Sequence, residues 1–269
     1  MKQNDANNIM QHPTGLMDRF RGYRRQLVKQ TGKTLLRTMG RFIAGQSLIG
    51  NQPVYAPDIF PWTATLESNW ETIRSELDAV LRKPDDLPAF HQISPDQWRI
   101  STGDSWKTLI LYVLGDRIDA NCARCPETVR LLEQVPNLRN AWFSILAPGY
   151  RIPPHQGPTN GIIRIHLGLI VPRDSDSCRI RVANQVFGWQ EGKCVVFDDF
   201  YEHEAWNNTE EQRAVLFFDV DRPLRLPGRI LNRLLIAIMK RTAYVQDAHT
   251  NLLQWEQHHP TREYDRDAA

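Results

Sequence analysis

A chain of 269 residues with 41% hydrophobic and 24% charged residues has the balance of a folded globular protein, which excludes wholesale disorder, a collagen-like repeat and a membrane bundle. At this length it forms one large domain with appendages or at most two small ones, with a core that needs no staples. A formal charge of +2 excludes nucleic-acid binding by bulk electrostatics, and four cysteines, Cys122, Cys125, Cys178 and Cys194, are too few for a disulfide scaffold.

The start, MKQNDANN, is polar and shows no secretory pattern, so a reducing, cytoplasmic location is expected, with residues 1–16 as a frayed tail. From Arg19 to Arg41, cations alternate with Phe20, Leu27, Leu35, Leu36 and Met39 as in a basic amphipathic helix, so residues 1–50 read as a basic tail and helix. Leu66, Trp70, Ile73, Leu77, Val80 and Leu81 predict one helix over Thr65–Arg82, stopped by Pro84. Trp106 begins a strand through Val113, and a short helix starts at Pro126.

Between Ala141 and Val220 the texture changes to β-rich runs at 141–146, 162–171, 178–182, 193–197 and 213–219, divided by Pro148-Gly149, Pro172, Gly188, Gly192 and Asn207-Asn208. Short strands without intervening helices predict an antiparallel sandwich or barrel, hence a mainly β fold with flanking helices over residues 51–223. In residues 224–269, Pro227 and Gly228 are expected to break the chain before a basic amphipathic helix of about three turns, with a polar tail from 243 onward. Both basic segments fit solvated helices covering sheet edges, or peripheral contact with an anionic membrane on its cytoplasmic face. Neither apolar run approaches the ~20 residues needed to span.

Three stretches concentrate polar chemistry: Pro154-His155-Gln156-Gly157, Arg164-Ile165-His166, and Asp198 to Glu204 around His203, with Arg213 ten residues later. Strand side chains alternate, so Arg164 and His166 share a face opposite Ile163, Ile165 and Leu167. Likewise Arg213, Val215, Phe217 and Asp219 oppose Ala214, Leu216 and Phe218. An inward arginine needs an anion, since an unpaired buried charge is costly, and guanidinium fits a carboxylate bidentately. That anion is a structural aspartate or a ligand, and carboxylates look scarce on the matching faces. Of eight histidines, His12, His249, His258 and His259 lie in the polar ends and His91 follows a Pro-rich stretch. His155, His166 and His203 remain, the first and last beside turns at strand ends, where a barrel mouth suits a metal. Cys122 and Cys125 form a CxxC without a second pair or a thioredoxin-like βαβ unit, and Trp62, Trp70, Trp142 and Trp189 read as core or edge aromatics.

The pattern His155-Gln-Gly-Pro-Thr-Asn-x-x-x-Arg164-x-His166-Leu-Gly-Leu, with Phe197-Asp-Asp-x-x-Glu-His203-Glu-x-Trp206-Asn207, Arg213 and Asp219-Val-x-Arg-Pro223, resembles the aspartyl/asparaginyl β-hydroxylase family of Fe(II)/2-oxoglutarate dioxygenases. The same pattern includes bacterial lipid A and ornithine-lipid hydroxylases. The resemblance covers roughly Phe60 to Pro223 and is dense from Trp142. It implies a double-stranded β-helix (jelly-roll or cupin-like) core, with Fe(II) and 2-oxoglutarate as cofactors. By position, His155 and His203 are the implied iron ligands, and Arg213 the catalytic-site arginine for the distal carboxylate of 2-oxoglutarate. The resemblance further implies that Ser144, Arg164 and His166 contact or orient the cosubstrate, and the family position of Trp106 allows it at the rim of a substrate pocket. The carboxylate usual two residues after the first histidine is replaced by Gly157, which the resemblance explains by a two-histidine site completed by water. Asp198, Asp199, Glu202 and Glu204 stay open as substitutes.

The function expected is hydroxylation of an unactivated carbon, with O2 and an unidentified peptide, lipid or small amino-acid substrate as partners. The alternatives are a non-catalytic β-helix sensor that binds a metal or organic acid, and a non-redox cupin-type metalloenzyme. The latter has no use for an inward arginine ten residues past the second histidine.

Overall fold

The computed structural model describes residues 38–94 and 99–258. The description below concerns the compact unit that begins at Phe42. Most of the basic helix expected over 19–41 lies outside the described residues.

In chain order the elements that build the site are β1 (Val54–Tyr55), α1 (Thr63–Ser68), α2 (Trp70–Leu81), α3 (Phe90–Ile93), β2 (Trp106–Val113) and β3 (Asp116–Arg117), then α4 (Asp119–Ala123) and α5 (Pro126–Leu132). The strands β4 (Leu138–Leu146), β5 (Arg151–His155), β6 (Ile162–Ile170), β7 (Cys178–Val182), β8 (Gln185–Gly188), β9 (Cys194–Phe197), β10 (His203–Asn207) and β11 (Arg213–Asp221) follow. Helices α6 (Leu226–Lys240) and α7 (Ala243–His258) close the described chain.

The strands form two antiparallel sheets, one of seven in the order β1-β9-β6-β11-β4-β2-β3 and one of four in the order β5-β10-β7-β8. Alternation along β6 and β11 sorts the larger sheet into two faces. Ile163, Ile165, Leu167, Ala214, Leu216 and Phe218 pack against Ile73, Leu77 and Val80 of α2 and Leu131 and Leu132 of α5. From the opposite face, Val215 and Phe217 meet Ile152, Ile180 and Ala205 of the smaller sheet. The mainly β, jelly-roll type of core expected from the sequence is therefore the architecture of the molecule, with one sheet face left for chemistry.

Three local expectations are corrected. The single helix over Thr65–Arg82 is two, because Asn69 leaves helical geometry (φ −113°, ψ 16°) and its side-chain Nδ2 donates to the Thr65 carbonyl at 2.8 Å, competing with the helical ladder. Pro227 does not break the chain ahead of the last basic helix. It sits in the first turn of α6, where its missing N–H has no partner to lose, and the helix runs 15 residues. Gly228 belongs to the same turn because a Cβ there would lie 2.6 Å from Gln46 Cβ. Finally, the polar tail expected from 243 is helical as far as His258. Leu252 is buried there against Ile93, Ile110 and Ile118, with Ala248 and Trp255 beside it.

Candidate active site

His155 ends β5 and His203 begins β10, and the two strands pair in antiparallel register with these residues directly opposite. The imidazole centroids are 4.1 Å apart. Each Nδ1 is held by a carbonyl two residues back, Pro153 O at 2.8 Å for His155 and Tyr201 O at 2.9 Å for His203. A neutral ring whose Nδ1–H donates to a carbonyl carries its lone pair on Nε2, the state a metal requires. Burial lowers the pKa of His155, and burial together with the His155 ring pushes His203 down to about 2. Both rings are neutral at pH 7.

The larger sheet supplies the facing wall. His166 on β6 is buried, and the Trp189 indole, which can only donate, gives its N–H to His166 Nδ1 at 3.3 Å. Burial, with the Arg213 and Arg164 charges nearby, holds the His166 pKa well below 6.5. The single proton of that neutral ring therefore sits on Nε2, a buried donor without a hydrogen-bond partner.

Arg213 and Arg222 are the two largest buried cations, and they differ in one respect. Arg222 is matched by an ion pair with Asp198, the Asn160 carbonyl at 2.8 Å, the Tyr55 hydroxyl at 3.0 Å and the Gly50 carbonyl at 3.1 Å. Arg213 is 1% exposed, forms no ion pair among the described residues, and has the Cys178 thiol beside it. It makes long contacts of 3.3 and 3.4 Å to the Ser144 carbonyl and hydroxyl, lies 4.6 Å over the Trp189 ring, and its Nε has no hydrogen-bond partner. Burial lowers its pKa to about 10, so it stays charged at neutral pH. Ser144 is itself fixed by the Trp106 indole at 3.0 Å.

Arg164 behaves otherwise. Its guanidinium pairs with Asp219 at 2.9 Å and with Asp199 at 2.8 Å, and lies 4.1 Å over the Phe217 ring. Carboxylates are therefore not scarce on the matching faces. Asp219 stands directly opposite Arg164 in the β6–β11 register, and Asn140 donates to it at 2.8 Å.

The backbone N–H of Gly157 donates to the Asp199 carbonyl at 2.7 Å, and a Cβ on Gly157 would lie 2.1 Å from Asp199 Oδ2. The space a side chain two residues after His155 would take is filled by a carboxylate from the β9–β10 loop. Asp199 makes no hydrogen bond through either carboxylate oxygen, its contact with Arg164 being an ion pair of poor hydrogen-bond geometry. Burial raises its pKa to about 7 against the pull of Arg164. The other acids in question are engaged elsewhere: Asp198 with Arg222, Glu202 with Arg181 at 3.0 Å, and Glu204 with Arg151 and Arg181. Among the described residues no three or more His, Cys, Asp or Glu side chains surround a common metal position.

One cavity of about 250 Å³ collects all six predicted residues, Ser144, His155, Arg164, His166, His203 and Arg213. Its lining also takes in Ile110, Val113, Ile162, Ile236, Met239, Ala248 and Leu252, with the polar Ser94 and Asn140 among them. The sequence reading takes Trp189 only as a core or edge aromatic and misses its role, which rests on a single indole N–H that leaves no spacing signature, and it misses the helical side of the cavity; Trp106, which the family position allows at a pocket rim, does line the cavity. The four cysteines are free and buried, and burial raises the Cys122 and Cys125 pKa values, as suits inert core thiols. No helix among the described residues is long and apolar enough to cross a membrane.

Residues 67–223 match the family described as Aspartyl/Asparaginyl beta-hydroxylase. The chain belongs to this family. The ornithine lipid ester-linked acyl 2-hydroxylase of Rhizobium tropici is 45% identical over 208 residues, 77% of this chain and 74% of that protein. The human aspartyl/asparaginyl beta-hydroxylase is 35% identical over 184 residues, 65% of this chain but 23% of the much longer human protein. Among solved structures, a 2OG-Fe(II) oxygenase family oxidoreductase from Burkholderia pseudomallei is 13% identical, covering 43% of this chain and 67% of that one with a TM-score of 0.35. Family membership supports a hydroxylase.

Proposed function

We propose that the protein is an Fe(II)- and 2-oxoglutarate-dependent hydroxylase whose substrate is the acyl chain of a lipid. The cofactor part is carried by Arg213, a buried, charged guanidinium with no carboxylate of its own beside a buried Nε2–H donor on His166. A protein does not retain an unmatched buried cation for stability, so these orphaned donors fit an organic anion. The Nε2 atoms of His155 and His203, freed by the carbonyls that hold Nδ1, suit a divalent metal.

In this reading His155 and His203 hold Fe(II), while Arg213 binds the distal carboxylate of 2-oxoglutarate with Ser144 and His166 alongside. Iron and 2-oxoglutarate, when bound, would supply the oxidising power for hydroxylation by O2. The chain's own residues do the rest. Trp189 fixes the His166 tautomer, and Trp106 turns Ser144 toward Arg213. Arg164 anchors Asp199 beside the histidine pair, where its carboxylate fills the space that Gly157 leaves free of a side chain and its unsatisfied oxygens can accept from a water next to the metal position. Phe217 and Trp142, stacked at 3.7 Å, keep that wall apolar and dry.

The substrate follows from the other end of the cavity. Ile110, Val113, Ile162, Ile236, Met239 and Leu252 offer nothing to a peptide carboxylate or amide, and they suit methylene groups. The likeness to a lipid acyl hydroxylase over most of both chains points the same way. The deciding experiment is mass spectrometry after anaerobically loaded enzyme meets O2, 2-oxoglutarate and either a total lipid extract or a peptide library. Gain of one oxygen atom on an acyl chain is expected, and gain on peptides alone would overturn the lipid assignment.

A further inference from the structure

Helix α6 has two apolar faces. The inner one buries Leu235 and Ile236, sends Ile236 and Met239 into the cavity wall, and ties Asn232 to the Gly161 carbonyl at 2.9 Å. The outer one is bare: Leu226, Ile230, Leu234 and Ile238 are 61%, 60%, 55% and 52% exposed. These four recur every fourth residue, so they form a single ridge roughly 18 Å long on one side of the helix. Beside it runs a second ridge, Arg225, Arg229 and Arg233, completed by Arg241 after the last turn, all exposed. None of these arginines forms an ion pair among the described residues, and Leu226–Lys240 contains no acidic residue. Leu48, 60% exposed, lies at the approach to α6, its N–H donating to the Pro223 carbonyl.

We infer that the outer face of α6 docks the protein on the surface of an anionic lipid bilayer. The aliphatic ridge enters the boundary between headgroups and acyl chains while the arginine ridge meets lipid phosphates. A ridge of leucine and isoleucine abreast of unpaired arginines is complementary to a surface that is apolar just beneath a layer of negative charge. A nucleic acid would match the arginines and leave the aliphatic ridge in water. A second copy of this helix would match the aliphatics but set two acid-free cationic ridges against each other. The inference takes its purpose from the lipid reading, since the same helix then faces the bilayer with one side and the acyl-binding end of the cavity with the other, but its evidence is the outer face alone.

Flotation of the full chain with vesicles of one part phosphatidylglycerol to three of phosphatidylcholine tests it. The protein is expected to float at about 0.1 M salt and to be released at about 1 M, where the Debye length falls from about 10 Å to about 3 Å. Ile230→Ser with Leu234→Ser should weaken partitioning at least tenfold. Arg229→Gln with Arg233→Gln should weaken it some ten- to thirtyfold, about fivefold per arginine, and flatten the salt dependence. Neither pair should alter the melting temperature or turnover on detergent-dispersed substrate. Wild-type protein that stays out of the vesicle fraction, or variants that float like wild type, would overturn the inference. So would a dimer that the Ile230→Ser, Leu234→Ser protein fails to form. Flotation without any lipid hydroxylation would instead refute the lipid substrate and leave the docking intact, and hydroxylation of dispersed lipid without flotation would do the reverse.

Discussion

Replacing Arg213 by methionine should make the metal-free, cosubstrate-free protein more stable while abolishing its response to 2-oxoglutarate. Burial holds the Arg213 pKa at about 10 instead of 12.5, which at neutral pH corresponds to about 3 kcal/mol against the folded state. Methionine forfeits the long Ser144 contacts at 3.3 and 3.4 Å, about 0.5–1 kcal/mol, and the Trp189 face at 4.6 Å, about 1 kcal/mol. A gain of about 1–2 kcal/mol remains. Arg222→Met is the internal control, because it strands the buried Asp198 carboxylate and should cost about 3–5 kcal/mol. Urea unfolding with a chelator reads both. Thermal melting with Mn(II) and rising 2-oxoglutarate then reads the ligand: the wild type should gain stability by mass action and Arg213→Met should not. Arg213→Lys, which keeps the charge without the paired donors, should bind 2-oxoglutarate ten- to hundredfold more weakly. Equal destabilisation by Arg213→Met and Arg222→Met would refute the reasoning, since Arg213 would then be a structural cation like its neighbour.

His203→Ala should eliminate metal binding in calorimetric Fe(II) or Mn(II) titration while circular dichroism keeps its β signature, because β10 remains paired to β5 and β7 on both sides. Gly157→Ala should cost at least about 2 kcal/mol through its clash with the Asp199 carboxylate, and Asp199→Ala should recover most of that loss when combined with it, a coupling that urea midpoints of the four proteins would expose. His166 is held neutral in the folded protein but titrates near 6.5 when unfolded, so its contribution is intact above that pH and is lost below it, at about 1.4 kcal/mol per pH unit. Unfolding free energies between pH 6.5 and 5 should fall more steeply for wild type than for His166→Gln, and parallel slopes would deny the buried neutral ring. Met239→Trp, filling the apolar end of the cavity, should shift hydroxylation toward shorter acyl chains in mass spectra while leaving cosubstrate affinity unchanged.

Strand chemistry was legible where period-two alternation carried it. Arg164 with His166, and Arg213 with Phe217 and Asp219, each face inward together, as alternation alone predicts. What alternation cannot tell is which inward arginine already has its anion. Arg164 is taken by Asp219 because the two strands pair with those residues opposite, a fact of register between segments 55 positions apart. Asp199 could not be placed for a similar reason: its carboxylate lies against Gly157 only because the loop before His203 folds back over the end of β5.

The two ends of the cavity are built by different rules, and this explains why the reaction could be read further than the substrate. The reacting end is made of strands, whose side chains point predictably, so a few spaced polar residues define it. The other side is closed by α3 and α7, helices more than a hundred residues apart in sequence that meet around Ile93, Ile110 and Leu252, with Ile236 and Met239 of α6 beside them in the lining. Helix α7 buries Leu252 with Ala248 and Trp255 beside it, too narrow an apolar stripe to stand out from a polar sequence, and its order comes from the cavity wall it completes. A substrate that fills this end should therefore order α7 as well. Amide exchange of the α7 backbone is expected to slow when a long-chain lipid is added to the metal- and 2-oxoglutarate-loaded protein, and to stay unchanged with a short acidic peptide. Slowing with the peptide alone would place the peptide, not the acyl chain, between these helices.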